Sequence, residues 1–234
     1  MKRNLNFLGI IFVLLLLILL SISLKIDWQD WQELQFSFKA LITDLVISFL
    51  RVLLTSLVAW IMGIICGYFI FYLRFCRQLF LPAINFIRHI SPFAWLPFAI
   101  IWFGLGEASV SFIMFITLFF PTVIAASDQF NSIPHEFIDE AKVLGTSQFQ
   151  LFKFVELPLS FVGFLNLFRI IWGLGWTVII AAEMLGVNSG LGFRLLDFRY
   201  LLQYPQMLIY FVVMGSVGIL FDWMLRKIVV RFEM

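Results

Sequence analysis

Charged residues are scarce in this chain. Asp, Glu, Lys and Arg make up 13% of its 234 residues, about half the share in an ordinary soluble domain. A soluble domain of this length would bury a core, but so few polar groups could not cover it. The composition therefore excludes a soluble globular protein.

Several chemical motifs are also missing from the sequence. The two cysteines, Cys66 and Cys76, stand in no CxxC or Cys/His spacing, so neither a disulfide framework nor a metal site is indicated. No GxxxxGK[ST] loop is present to hold nucleotide phosphates. No Ser-His-Asp or nucleophile-elbow pattern accompanies the two histidines, which argues against a membrane hydrolase. The net charge of +2 gives no sign of a nucleic-acid partner.

Apolar residues dominate what is present, at 62% of the chain, with 18% aromatic residues and a mean hydropathy of +1.02. A helix needs about 20 apolar residues to cross a bilayer. Six segments meet that requirement, so we predict an all-α integral membrane protein with about six transmembrane helices. The predicted spans are residues 6–24, 46–73, 83–104, 108–126, 159–186 and 205–226.

The ends of the chain and its basic residues predict a topology. No small-residue cleavage site follows the first apolar run, so we interpret it as a retained span. This divides the chain into residues 1–39, with the first helix and an outer loop, and a core domain over residues 40–234. With six spans, ten Lys and Arg residues fall on the side of the N-terminus and four on the other. The excess predicts that both termini are cytoplasmic.

The loop at about residues 127–158 carries an unusual polar pattern. After Pro134, the stretch HEFIDEAKVLG predicts a helix with Phe137, Ala141 and Leu144 on one face. Gly145 follows as a left-handed stop. Ser147 and the glutamine three residues later have the form of a capping box. A second helix follows, and we expect Pro158 to interrupt it.

A fixed helical loop of this kind fits two interpretations. It is either an interfacial hairpin that lies on the membrane surface, or a docking element for a soluble partner. The first would make the chain a structural or interaction protein of the membrane. An ion-coupled carrier is a further alternative, although we would expect more paired carboxylates in its spans.

The stretch from Asp139 to Pro158, DEAKVLGTSQFQLFKFVELP, resembles the EAA loop of permease subunits in binding-protein-dependent ABC importers. Lys142 replaces the second alanine of the motif. The resemblance extends from about residue 48 to the C-terminus. The pieces HISPFAWLPFAIIWFGLG and AAEMLGVNSGLGF are similar to the branch that imports nitrate, sulfonates and taurine. The positions that match the loop motif in register are Glu140, Ala141, Gly145, Val155, Leu157 and Pro158.

The resemblance implies a type I ABC importer permease fold with a cytoplasmic coupling helix. It also implies a location in a bacterial inner membrane and a small solute, expected to be anionic, such as a sulfonate, taurine, nitrate or bicarbonate. Implied partners are cytoplasmic ATPase subunits, a second permease copy and an external or periplasmic substrate-binding protein. ATP and magnesium would bind the separate ATPase, so this chain would be no enzyme and bind no cofactor. The residues that would contact the ATPase are Phe137, Asp139, Glu140, Ala141, Leu144, Gly145, Leu157 and Pro158.

Four positions in the spans are candidates for the pathway or its gate. Pro92 and Pro97 break the third span, either as an ordinary kink or as part of the substrate path. Arg169 is either a structural ion pair with another span or an attraction for an anionic substrate. Glu183, near the outer end of the fifth span, precedes a glycine-rich stretch that we interpret as an outer gate or a surface for the binding protein.

Overall fold

A computed structural model describes residues 36–233 and, before them, residues 19, 21–24, 26, 30 and 31. The predicted first span, residues 6–24, lies outside the described residues apart from the few just given. Residues 36–233 form nine α-helices joined by short breaks, and this part of the chain contains no β-strand. The helices are α1 (Phe38–Tyr72), α2 (Arg74–Arg88), α3 (Leu96–Phe103), α4 (Glu107–Asn131), α5 (His135–Val143), α6 (Gln148–Leu151), α7 (Leu157–Gly186), α8 (Leu191–Tyr200) and α9 (Tyr204–Glu233).

Four helical stretches of the described part are long and apolar enough to cross a membrane. They are Phe38–Tyr72, Glu107–Asn131, Gln148–Met184 and Tyr204–Phe232. A fifth would follow if α2 and the helical stretch Pro92–Phe103 formed one broken span, since the two are bent by 97°. The predicted all-α membrane architecture is thereby confirmed, whereas the total of six spans stays a prediction.

Two predicted spans have different limits in the structure. The second begins at Phe38 as one continuous helix, with the Ser37 hydroxyl accepting from the Ala40 amide at 3.4 Å. The third is not a single helix from residue 83. Helix α2 ends at Arg88, a 3₁₀ turn occupies Pro92–Trp95, and Pro97 lies in the first turn of α3, where its missing N–H is tolerated.

Helices α1, α4 and α7 enclose most of the buried core. Near the predicted cytoplasmic side, Leu118, Phe130 and Phe164 belong to one buried cluster. Toward the other end, Met114 and Trp172 belong to a second cluster. Because α1 contributes side chains to both clusters, it fixes α4 and α7 relative to each other along its length.

Two glycines of α1 allow it to approach α4 closely. A Cβ atom at Gly67 would lie 2.7 Å from the Ala126 side chain and 2.8 Å from the Val123 carbonyl oxygen. At Gly63 it would lie 2.5 Å from the Thr122 methyl group. Small residues at a helix crossing in a membrane permit the dispersion contacts that hold helices together there.

We predict that Gly67→Ala lowers the stability of the folded chain by about 1–3 kcal/mol, because the backbone of α4 cannot yield to an added methyl group. Thermal unfolding of the purified full chain in detergent measures the effect. Gly173→Ala is the matched control, since a Cβ atom there meets nothing within 4 Å. Equal unfolding midpoints for the two variants would contradict the close approach of α1 and α4.

Candidate coupling surface and buried polar network

Helix α5 is held against the membrane helices by two small contacts. Ile138 and Ala141 are each 7% exposed and belong to the buried cluster that contains Phe130 and Leu151. The predicted face of Phe137, Ala141 and Leu144 is therefore divided. Of its three members only Ala141 is buried, because Ile138, three positions before Ala141, completes the packing face instead.

The remaining surface of α5 is uncovered within the described part of the chain. Phe137 is half exposed, and Val143 and Leu144 are 88% and 84% exposed. Asp139 and Glu140 are exposed as well, and Lys142 lies 3.9 Å from the Asp139 carboxylate. The helix thus presents acidic groups along its side and an apolar tip at its C-terminal end. Val143 was not among the predicted contact residues.

The corner after α5 has the predicted geometry. Gly145 has a φ of +79°, and its amide donates to the Lys142 carbonyl at 2.9 Å. The Thr146 hydroxyl donates to the Ala141 carbonyl at 2.8 Å. Ser147 and Gln150 form the capping box, with the Ser147 amide donating to the Gln150 side-chain oxygen at 2.8 Å. These bonds fix the direction in which the chain leaves α5.

Pro158 does not interrupt the helix that follows this corner, contrary to the prediction. Helix α6 passes through a π-helical turn, Phe152–Glu156, directly into α7. Pro158 lies in the first turn of α7, where the lack of an N–H group is tolerated. Leu157 packs against the buried cluster, while Pro158 is exposed. A π-helical turn inside a longer helix often marks a functional site.

The π-helical turn is tied to the end of α1. The ring of Phe152 lies 4.5 Å from that of Tyr68, and Phe130 lies 5.2 Å from the same tyrosine. The Gln148 side-chain Nε2 donates to the Tyr68 hydroxyl at 3.4 Å. The loop therefore packs against α1 as well as leading directly into α7.

At the other end of α1, Arg51 and Glu183 form a buried ion pair. The guanidinium donates to the Glu183 carboxylate at 2.6 Å, and Glu183 is fully buried. The Ser48 hydroxyl donates to the same carboxylate at 2.8 Å, as does the Gly192 amide. The carboxylate is therefore paired and hydrogen-bonded, as a charge in an apolar surrounding requires.

Arg51 also reaches two segments on the side predicted to face outward. It donates to Glu107 at the start of α4 at 2.6 Å, and to the Ser189 carbonyl and hydroxyl at 2.9 Å and 2.8 Å. The Glu107 side chain is 64% exposed, although that of Arg51 is only 8% exposed. A cavity of about 520 Å³ adjoins this side of the network, with Glu107 and Ser189 among its lining residues. One arginine thus joins α1, α4, α7 and the segment before α8.

A second polar cluster extends this network along α1. Asp44 accepts from Arg194 of α8 at 3.1 Å and from the Tyr210 hydroxyl of α9 at 3.0 Å. Burial of the Arg194 guanidinium disfavours its positive charge. The hydrogen bond to Asp44 and the negative charge of Asp44 oppose this effect, so that the pKa of Arg194 is raised above its usual value. Arg194 therefore stays a cation, and charged hydrogen bonds to Asp44 join the N-terminal parts of α1, α8 and α9.

The other predicted pathway residues lie apart from this network. Arg169 of α7 donates to both carboxylate oxygens of Asp222 in α9, at 2.7 Å and 2.9 Å, so the ion pair with another span is present. Pro92 is half-buried and Pro97 is exposed, in a segment that also exposes Phe93 and Phe98. A role of these residues, or of Glu183, in a substrate pathway stays a prediction.

Sequence reasoning missed the partners Ser48, Arg51, Glu107 and Asp222. One signal in the sequence could have identified the Arg51–Glu183 pair. Both residues lie within apolar runs and have opposite charges, and charged side chains in such runs usually pair with each other. Among the described residues, no group of three or more His, Cys, Asp or Glu side chains is placed to hold a metal ion.

Comparison with known proteins agrees with this architecture. Residues 59–233 match the family model of the binding-protein-dependent transport system inner membrane component. The bicarbonate transport system permease protein of Synechococcus elongatus is 32% identical over 200 residues, covering 81% of this chain and 71% of that protein. The taurine transport system permease protein of Escherichia coli is 34% identical over 146 residues, covering 62% of this chain and 53% of that protein.

A solved structure shows the same fold. A chain of the MetNI methionine ABC transporter in an inward-facing conformation superposes with a TM-score of 0.68 at 17% identity, covering 84% of this chain and 99% of that one. The protein belongs to the family of binding-protein-dependent transport system inner membrane components. It is a membrane permease with the type I ABC importer fold, as the sequence resemblance implied.

We predict that Glu183→Gln destabilises the chain by about 3–5 kcal/mol, the usual cost of removing one partner of a buried ion pair. Glu107→Gln is the matched control, because it removes an exposed carboxylate from the same arginine and should cost no more than about 1 kcal/mol. The free energy of unfolding of the full chain in detergent measures both. Equal losses for the two variants would show that Arg51 does not depend on the buried partner.

Proposed function

We propose that this chain forms part of the translocation pathway of an ATP-driven importer and couples to a separate ATPase subunit through α5. The observation that carries the proposal is the exposed apolar tip of a firmly anchored helix. Val143 and Leu144 are nearly fully exposed, although Ile138 and Ala141 of the same element are buried. Exposed apolar groups rimmed by polar ones are typical of protein interaction surfaces.

The anchoring of α5 supports docking rather than adsorption to the bilayer. Its apolar residues point in two directions, with Ile138 and Ala141 toward the membrane helices and Val143 and Leu144 away from described parts of the chain. An interfacial helix would instead need one continuous apolar face for the lipid. Glu140 is exposed beside the tip and offers a partner a charge for orientation.

The contacts of the loop provide a route for mechanical coupling. Shifting a gate from 1:99 to 99:1 requires about 5.5 kcal/mol of differential binding. That energy reaches the membrane only if the connection does not yield. The Gly145 corner is closed by hydrogen bonds, and the following helix continues without a flexible segment into α7. Phe152 passes the displacement to α1 through Tyr68.

The remaining parts of the proposal concern the assembly and its cargo. A second copy of this chain completes the pathway, an external or periplasmic binding protein delivers the substrate, and both termini face the cytoplasm of a bacterial cell. ATP and magnesium bind the ATPase. The substrate is a small anionic solute such as a sulfonate, taurine, nitrate, bicarbonate or a similar compound. This choice is supported by the names of the taurine and bicarbonate relatives.

Gly145→Val should reduce substrate-stimulated ATP hydrolysis by the assembled transporter about tenfold. An added Cβ atom meets no atom within 4 Å there, so the change acts only through the left-handed backbone. That conformation costs valine about 1–2 kcal/mol, which corresponds to roughly a tenfold effect. Gly145→Asn is the matched control, because asparagine tolerates that conformation. ATP hydrolysis by reconstituted complex with its binding protein measures the effect. Full stimulated activity in Gly145→Val would contradict coupling through this corner.

Leu144→Asp should release the ATPase from the permease without lowering the thermal stability of the permease itself. The Leu144 side chain is 84% exposed. The carboxylate introduced there is therefore solvated in the free chain and becomes buried only at the proposed interface. Co-purification of the ATPase with the tagged permease is the measurement. Leu144→Met, which keeps the apolar contact, should retain the ATPase. Undiminished co-purification of the aspartate variant would remove α5 as the docking element.

A further inference from the structure

Helix α2 carries an exposed basic surface. Arg74, Arg77, Gln78 and Asn85 line an open groove of about 760 Å³. Both arginine side chains are exposed, and neither forms an ion pair with a carboxylate in the described part of the chain. Two guanidinium groups beside amide side chains suit a phosphate group, which accepts several hydrogen bonds from such donors.

A separate apolar cavity lies along another face of the same helix. It measures about 270 Å³ and is enclosed between α1, α2 and α4. Apolar side chains and two thiols line it: Cys66, Phe69, Cys76, Phe80, Phe119 and Val123 are among them. Phe69 and Phe80 are about half exposed, so the cavity opens at the surface of the helices, between apolar side chains. Its chemistry suits a hydrocarbon chain.

The two sites are arranged for a single amphiphilic ligand. Residues that line the groove and residues that line the cavity alternate along α2, about 120° apart around the helix axis. Arg77 and Phe80 are separated by less than one helical turn, about 4.5 Å along the axis. A headgroup bound to the arginines would therefore have its acyl chain next to the opening of the apolar cavity.

The position of α2 fits the surface of a membrane. Helix α2 follows the end of α1, the end whose Tyr68 contacts Phe152 of the coupling loop. The groove therefore lies at the same membrane side as α5, the cytoplasmic side in the proposed topology. Helix α2 is also bent by 97° from the helical stretch that follows it. Basic residues at this depth meet the phosphate groups of the cytoplasmic leaflet.

We propose that α2, together with α1 and α4, binds an anionic phospholipid, with the phosphate at Arg74 and Arg77 and an acyl chain in the cavity beside Cys76 and Phe80. A soluble acidic partner would match the charge but not the apolar cavity. A second copy of this chain would offer the apolar surface, but its own α2 would bring further basic groups. Only an anionic lipid satisfies both sites.

Native mass spectrometry of the detergent-purified full chain, with phosphatidylglycerol or phosphatidylcholine added, tests the site. We expect retention of phosphatidylglycerol over phosphatidylcholine, and about a 30-fold weaker affinity in Arg74→Gln/Arg77→Gln, which corresponds to about 1 kcal/mol for each basic side chain. Arg226→Gln/Arg231→Gln is the matched control. It removes the same charge from α9, whose Phe232 contacts Phe161 near the start of α7, and should bind as the unaltered chain does.

Two further measurements separate the occupants. Cys76→Phe fills the cavity and leaves both arginines, so it should weaken lipid binding while leaving the direct binding of inorganic phosphate unchanged. If phosphate alone displaces the lipid completely and Cys76→Phe has no effect, the site binds a free anion and the proposal is overturned. It is equally overturned if the Arg74/Arg77 and Arg226/Arg231 double variants weaken lipid binding equally, or if phosphatidylcholine is retained as well as phosphatidylglycerol. Lipid on monomers but never on dimers would also overturn it, because a second copy would then cover this face.

Discussion

The pairing of Arg51 with Glu183 is the contact on which the N-terminal half of α1 and its neighbouring helices depend. A lone charge in an apolar surrounding is costly, so each of the two groups requires the other. The same carboxylate accepts from Ser48 of α1 and from the Gly192 amide of α8. A Cβ atom at Gly190 would lie 2.4 Å from that carboxylate. The glycine-rich turn before α8 is therefore required for close approach to the ion pair.

The two ends of α1 are held by different kinds of contact. At the end predicted to lie on the outer side, directional charged hydrogen bonds join α1 to five other segments, namely α4, α7, the segment before α8, α8 and α9. At the end that leads to the coupling loop, aromatic rings and small residues do so, through Tyr68 and Gly67. Seventeen residues, about 26 Å of helix, separate Arg51 from Tyr68. One unbroken helix spans this distance, so the contacts beside the loop and the Arg51–Glu183 ion pair are parts of the same rigid element.

Local features were predictable from the sequence, and contacts between distant segments were not. The left-handed Gly145 and the Ser147 capping box depend on a few neighbouring residues, and the structure has both. The partner of Glu183 lies 132 positions away, and no periodicity within one segment identifies it. Pro158 was expected to break a helix, but the preceding π-helical turn lets the chain continue. The packing of Ile138 rather than Phe137 was likewise decided by tertiary contacts.

The state of the arginines limits how this chain could recognise an anionic solute. The four long apolar stretches contain Arg51, Arg169 and two arginines near the end of α9. Arg51 and Arg169 each donate to a carboxylate. An anion that approached either one would have to replace an existing partner. For Arg51 the exposed Glu107 is the partner with the weaker hold, since solvent screens its charge, whereas Glu183 is fully buried. In this conformation, therefore, neither arginine offers an unpaired charge to an anion, and either could bind one only after its present ion pair had separated.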